Sequence, residues 1–281
     1  MASRFPRHWV DGVEQGTIPL DDRGLSYADG VFETFMCVSG NVSCLSFHLE
    51  RLCEGLTRLQ FNKPLQQAKR VLKSTSVIIQ SVKHSGTARL TITRGSGPRG
   101  YAPPKCSEAR CLLSLYAAPT IETSQPQHCI IAETRWSYQP QFAGIKLLSR
   151  TEQVLAAKEA EEAGVDDAIM LDHLGHAISS SRGNLFVVSN DKVITPALDH
   201  CGIAGTRRRL LIDRVFPRLS LRVATRPLIL EELWESDEAM ISNAVVGVIP
   251  IASIGDKTWF SHPVSEEALL LLKEETVVCS G

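Results

Sequence analysis

Strand-like runs in this chain come in pairs joined by turns of only a few residues, and that spacing limits what it can build. Val10-Asp11-Gly12-Val13 reads as a hairpin. The run Gly30 to Val38 is followed by the turn Ser39-Gly40-Asn41 and a second strand from Val42 to Leu45. Asp167 to Leu171 leads through Asp172–Gly175 to short strands through Ile178, Leu185–Val188 and Val193–Thr195. Connections this short join antiparallel partners, because a parallel pair needs a longer crossover. Further strands are expected at Thr87–Arg94, Arg110–Ala117, His128–Thr134, Leu219–Ala224 and Met240–Ile251, the last broken at Asn243. Helical patterns lie between them. Ser46 predicts the cap of a helix whose Leu49, Leu52, Cys53, Leu56 and Leu59 share one face. Pro64 opens a second, from Leu65 to about Lys83. Others should start at Thr206 and at Ser265–Glu266, the last ending near Thr276. The expected class is α+β with mostly antiparallel sheets.

A chain of 281 residues can bury a sizeable core and divide into two lobes. The only linker-like composition in mid-chain is Ala118 to Pro126. The expected division is a smaller N-terminal lobe over 1–118, a linker over 119–126, and a larger C-terminal lobe over 127–281. Thirty basic residues against 31 acidic give a formal charge of −1, so no global field favours nucleic acid or an anionic membrane. No run is apolar for long enough to span a bilayer, and Met1 to Trp9 lacks an apolar signal core, so a cytoplasmic location is expected. The eight cysteines show no CxxC pair and no zinc-like spacing, so buried free thiols and no metal site are expected.

Chemistry enters at Lys146, in the run Gly144-Ile145-Lys146-Leu147-Leu148-Ser149. Ser149 followed by Glu152 reads as a capping box, with a helix running on through Lys158. Lys146 would then sit in the turn feeding that helix. A lysine amine held in a sheltered pocket can lose its proton and attack a carbonyl. Three other features suit an anionic cofactor. Gly202-Ile203-Ala204-Gly205-Thr206 precedes a helix, so its amides can face an anion. Arg51 offers a guanidinium for bidentate phosphate contact. Ser242-Asn243-Ala244 interrupts an apolar strand and either donates further hydrogen bonds or marks a bulge. Singly, each also has an ordinary reading as a solvated side chain, a loop or a bulge.

Together these runs resemble the fold-type IV pyridoxal-phosphate enzymes nearly end to end. The matching motifs are Asp22 to Thr34, His48-Leu49-Glu50-Arg51-Leu52, Thr93 to Tyr101, Gly144 to Leu155, Asn184-Leu185-Phe186 and Cys201 to Gly205. The resemblance implies the two-lobed D-amino-acid aminotransferase-like fold, usually as a homodimer, with pyridoxal 5'-phosphate as cofactor. It implies that Lys146 holds the cofactor covalently and moves the substrate's proton. Arg51, the backbone amides of Thr206 and Arg207, and the side chain of Asn243 would hold the phosphate, while Arg99 and Tyr101 fall where relatives hold a substrate carboxylate. The most similar branch implies conversion of 4-amino-4-deoxychorismate to 4-aminobenzoate and pyruvate, which feeds folate synthesis. The rivals are an aminotransferase for D- or branched-chain amino acids, and a cofactor-binding protein with decayed catalysis.

One position departs from the family pattern. Five residues before Asn184, where the family has a glutamate that keeps the pyridine nitrogen protonated, this chain has Ser179. A serine can bond that nitrogen but cannot hold it as a cation, so the ring becomes a poorer electron sink. Transamination should suffer most; an elimination that yields an aromatic product has a driving force of its own.

Overall fold

A computed structural model describes residues 5–118 and 125–278. Most of the expected linker, 119–124, and Cys279 therefore lie outside the described residues. Contacts divide the chain into two units: residues 5–118 with Ile145–Ser149, and residues 125–144 with Arg150–Val278.

The first unit contains β1 (Arg7–Val10), β2 (Val13–Glu14), α1 (Arg23–Tyr27), β3 (Gly30–Val38), β4 (Asn41–Val42), α2 (Leu45–Arg58), α3 (Pro64–Ser81), β5 (Gly86–Thr93) and β6 (Arg110–Ala117). Its six strands run in the order β2-β1-β6-β5-β3-β4, every pair antiparallel. Register sorts the two faces. Glu33 lies opposite Leu90, which lies opposite Leu113; Phe35, Ala88 and Leu115 form the next row. This face is fully buried, and Leu52 and Leu56 of α2 and Ile79 of α3 belong to the same fully buried set. Phe32, Thr34 and Arg89 stand on the other face.

The strand expected over Val42–Leu45 is cut to Asn41–Val42. Cys44 takes a left-handed conformation at φ 51°, and the helix begins at Leu45 without any side-chain cap from Ser46. The buried stripe of α2 also centres differently, on His48, Leu52, Gly55 and Leu56, because the His48 imidazole reaches a carboxylate in the sheet.

Residues 145–149 complete this sheet. Leu147 bridges Val31, the Phe32 amide donates to the Lys146 carbonyl (2.9 Å), and the Leu148 amide donates to the Gly30 carbonyl (3.1 Å). The segment lines the edge of β3 at the end that β4 does not reach. Gly30 makes the approach possible: a Cβ there would stand 2.1 Å from the Ile92 carbonyl oxygen and 2.9 Å from Leu148 Cδ1. The expectation that Lys146 belongs to the C-terminal lobe is thereby corrected, since its segment pairs with the first unit.

The second unit contains β7 (Gln127–Ile131), a 3-10 turn (Pro140–Phe142), α4 (Thr151–Glu162), β8 (Asp167–Leu171), β9 (Ala177–Ser180), β10 (Asn184–Ser189) and β11 (Lys192–Pro196). It continues with α5 (Thr206–Leu210), a π-type stretch (Leu211–Val215), α6 (Phe216–Arg218), β12 (Arg222–Arg226), α7 (Leu230–Glu235), β13 (Glu238–Asn243), β14 (Gly247–Ile254), β15 (Lys257–Thr258) and α8 (Pro263–Val278). The strand order is β12-β11-β10-β13-β14-β7-β8-β9, and β9 pairs back onto β10, so six strands form a closed ring. Three pairs are parallel: β11 with β12, β14 with β7, and β7 with β8. Leu185, Val187, Ile241, Ile249 and Ile251 belong to one buried cluster; Trp136, Ala156, Ala160, Met170 and Ile178 belong to another beside α4.

The predicted capping box is not made. Helix α4 starts at Thr151, and Glu152 Oε1 instead accepts from the amide (3.2 Å) and the hydroxyl of Ser137. Strand β7 stops at Ile131 because Glu159 of α4 accepts from the amide of Glu133 and from both the amide and hydroxyl of Thr134. Among the described residues no helix is long and apolar enough to cross a membrane, and no cluster of His, Cys, Asp or Glu is arranged to hold a metal. Seven cysteines are free; Cys106 is exposed, whereas burial pushes the thiols of Cys37 and Cys111 up to about 12 and about 11.

Candidate active site

In the first unit, adjacent residues of β3 serve two of the predicted positions from opposite faces of the sheet. The Lys146 ammonium stands 4.4 Å from the centroid of the Phe32 ring, and the Arg89 guanidinium stands 4.0 Å from the same centroid. Two cationic groups therefore share one aromatic ring, whose negative face attracts each of them. Lys146 is partly buried, and its backbone is fixed by pairing to β3, so the amine is presented from a strand edge and not from a flexible loop.

On the helix side, Glu33 is almost wholly buried. It accepts from Arg51 Nε at 2.8 Å and from Arg51 Nη2, while His48 Nδ1 lies 2.7 Å from Glu33 Oε2. Burial alone would raise the Glu33 carboxyl. The charges of Arg51 and His48, and their hydrogen bonds, outweigh that and hold it at about 2. Glu33 consequently stays ionised and fixes the plane of the Arg51 guanidinium. Neither Glu33 nor His48 was singled out by sequence reasoning. The available signal was an acidic residue at an inward position of an otherwise apolar strand.

Arg99 and Tyr101 are exposed, Tyr101 at 87%. Their loop is pinned by residues of the Asp22–Thr34 motif, to which the sequence assigns no role. Buried Arg23 donates to the carbonyls of Gly100 (2.9 Å) and Tyr101 (2.8 Å), and the Tyr27 hydroxyl accepts from the Gly100 amide at 3.0 Å. Asp29 orients Arg23 through a 2.9 Å bond to Nε, and the Tyr27 and Tyr101 rings meet edge-on at 5.6 Å. The predicted carboxylate donors thus stand on a braced loop, open to a ligand but not enclosed.

In the second unit, three polar side chains occupy one row of the ring. Asn184 of β10 registers with Ser179 of β9 on one side and Ser242 of β13 on the other. All three are buried. The register of β8 with β9 shifts between Met170 and Leu171, which places Ile178 in the same buried cluster as Met170, next to Ser179. The Ser179 hydroxyl oxygen accepts from the Trp136 indole N–H at 2.9 Å, and no carboxylate is bonded to it. Asn184 Nδ2 donates to the Ile203 carbonyl at 2.7 Å and so draws the Gly202–Thr206 loop over the row. Gly205 is required there, since a Cβ would stand 2.1 Å from Asn184 Oδ1.

Thr206 and Arg207 begin α5 and are both buried. The Thr206 and Ser242 hydroxyls are buried without a hydrogen-bond partner among the described residues. Unspent buried hydroxyls are costly, and beside helix-terminal amides they suit the oxygens of a bound phosphate. Asn243 ends β13. Its Oδ1 accepts from the amides of Val245 (2.9 Å) and Val246 (3.0 Å), which closes the turn between β13 and β14. Its Nδ2 donates to the Arg182 carbonyl at 3.4 Å, and the Ser242 hydroxyl has no partner among the described residues.

Residues 30–254 match the family model described as amino-transferase class IV. The chain is similar to the aminodeoxychorismate lyase of Vibrio harveyi, at 33% identity over 88% of this chain and 90% of that protein. A putative branched-chain-amino-acid aminotransferase of Methanocaldococcus jannaschii is 26% identical over 89% of this chain and 86% of its own length. Among solved structures, 4-amino-4-deoxychorismate lyase from Pseudomonas aeruginosa superposes with a TM-score of 0.89 at 31% identity, covering 95% of this chain and 98% of that one. The branched-chain aminotransferase of Thermoproteus uzoniensis shares the fold, with a TM-score of 0.84 at 20% identity, covering 97% and 95%.

Proposed function

The chain belongs to the class IV aminotransferase family of pyridoxal-phosphate-dependent enzymes, and from that premise we propose that it is the lyase that converts 4-amino-4-deoxychorismate to 4-aminobenzoate and pyruvate. The observation that carries this reading is Ser179, buried and bonded by Trp136 in a row with no carboxylate. A site built to transaminate needs its cofactor ring held as a cation through both half-reactions, and this row offers nothing that would do so. The 33% identity to a lyase, against 26% to an aminotransferase, supports the same choice.

Pyridoxal phosphate, when bound, supplies an aldehyde carbon for covalent attachment and a conjugated ring that accepts an electron pair. Arg51, oriented by Glu33, would hold phosphate oxygens, as would the amides of Thr206 and Arg207 and the spare hydroxyls of Thr206 and Ser242. Lys146 would hold the cofactor through its side-chain amine. The same Nζ would take the proton from the substrate carbon that bears nitrogen. The bond to the enolpyruvyl oxygen breaks, the six-membered ring becomes aromatic, and the proton on Nζ goes to the departing enolpyruvyl group, giving pyruvate. Arg99 and Tyr101 meet a substrate carboxylate from their braced loop.

The enzyme acts as a homodimer in this reading. Support comes from the exposed apolar side chains of Leu20, Leu25 and Tyr101, which a second copy would cover. Free thiols support a reducing, cytoplasmic setting. Incubation with 4-amino-4-deoxychorismate and no keto acid should give 4-aminobenzoate and pyruvate in equal amounts. Product that forms only when 2-oxoglutarate or pyruvate is added as acceptor would instead identify an aminotransferase.

A further inference from the structure

A serine hydroxyl has one proton to give and two lone pairs to receive with. At Ser179 one lone pair is already taken, because an indole N–H can only donate and Trp136 directs its own at Ser179 Oγ over 2.9 Å. Among the described residues nothing accepts the Ser179 proton, although the side chain is 4% exposed. The proton and one lone pair are left, and the buried proton calls for a ligand atom that carries a lone pair.

Trp136 is itself held in place. Its amide donates to the Leu171 carbonyl at 2.9 Å, and its ring packs in the cluster with Met170 and Ile178. The Arg150 guanidinium lies 5.6 Å from the ring centroid. A cation against the indole face strengthens the N–H as a donor and disfavours a second positive charge nearby.

We infer that Trp136 is a positioning residue that fixes the polarity of Ser179, so that its hydroxyl donates to an unprotonated cofactor ring nitrogen. This rests on the proposed placement of Ser179 at that nitrogen. Were the ring a pyridinium, its N–H would be a second donor aimed at Ser179, and the hydroxyl's own proton would stay buried and unspent, at a desolvation cost. Serine alone leaves both directions open; the indole, by taking one lone pair, favours donation. The ring is then a weaker electron acceptor, which selects for an elimination with its own aromatic driving force.

The test is nitrogen-15 NMR of the holoenzyme reconstituted with ring-labelled pyridoxal phosphate, with Ser179→Asp as the protonated standard. The wild-type resonance is expected in the range of a neutral, hydrogen-bonded pyridine. Trp136→Phe keeps the ring but removes the donor. It should move the resonance toward the Ser179→Asp position and speed cofactor dissociation roughly 2- to 10-fold. A wild-type resonance coinciding with Ser179→Asp overturns the inference, as does a Trp136→Phe resonance that stays where it was. If Trp136→Phe does not fold, the wild-type position against the standard decides the matter alone. A resonance unmoved by both Ser179→Asp and Ser179→Ala would show that Ser179 is not at the ring, which removes the placement and the inference with it. Failure to take up cofactor at all would count against the proposed function.

Discussion

Glu33 and Arg51 form a pair in which the buried member governs the useful one. The carboxylate is held at about 2 against a usual value of 4.5, so it is ionised at any pH where the enzyme works. Its depressed value sets the sign of the pH effect. The stabilisation is fully present above the unfolded carboxyl's value and is lost as pH falls from about 4.5 toward about 2. Denaturant titrations of the wild type and Glu33→Gln should therefore differ most above pH 5, by about 3 kcal/mol, because the variant leaves Arg51 without its buried counter-charge. The curves should converge only as pH falls toward about 2, and a gap that widens on acidification would show that another group sets the dependence. Arg51→Ala should weaken pyridoxal-phosphate binding by about 1.5–3 kcal/mol, or roughly 10- to 100-fold, in a cofactor titration. An unchanged affinity would remove Arg51 from the phosphate site.

At the level of elements, the site depends on strand register. Ser179, Asn184 and Ser242 share a row only because β9, β10 and β13 pair as they do. A slip of one residue would turn each of these side chains to the opposite face. Asn184 also clamps the Gly202–Thr206 loop, with no room for a side chain at Gly205. Gly205→Ala should displace the Asn184 carboxamide, lower stability by about 1–3 kcal/mol and weaken cofactor binding, as read from thermal melts with and without cofactor. An unchanged melt would show that the loop yields at no cost. Strands β3 and β6 were legible residue for residue, as Gly30–Val38 and Arg110–Ala117, because their sequences carry a strong strand pattern between turn residues. Helices α1 and α7 were not, being five and six residues long and too short for a helical period to show. Nor could local pattern reveal that β9 closes onto β10, since pairing between strands is a tertiary fact. The site divides along the same line. Lys146, Arg51 and the glycine loop stood out by motif, whereas Glu33, Trp136 and Arg23 act through partners far away in sequence.

Across the whole molecule, residues 145–149 belong with the first unit although both their flanks belong to the second. The chain leaves the ribosome in order, so residues 5–118 emerge before Ile145 does, a delay of seconds at roughly 5–20 residues per second. During that interval the β3 edge at Gly30–Phe32 lacks the segment that later pairs with it. An open strand edge is a template for other chains. A fragment ending at residue 124 should therefore be soluble only at low concentration and should form higher oligomers by light scattering. Supplying Ile145–Ser149 on a short glycine-serine tether should suppress them. If the bare fragment stays monomeric, its edge needs no such cover. The lysine proposed to bind cofactor would double as part of the last segment to dock, coupling completion of the first sheet to the arrival of that amine.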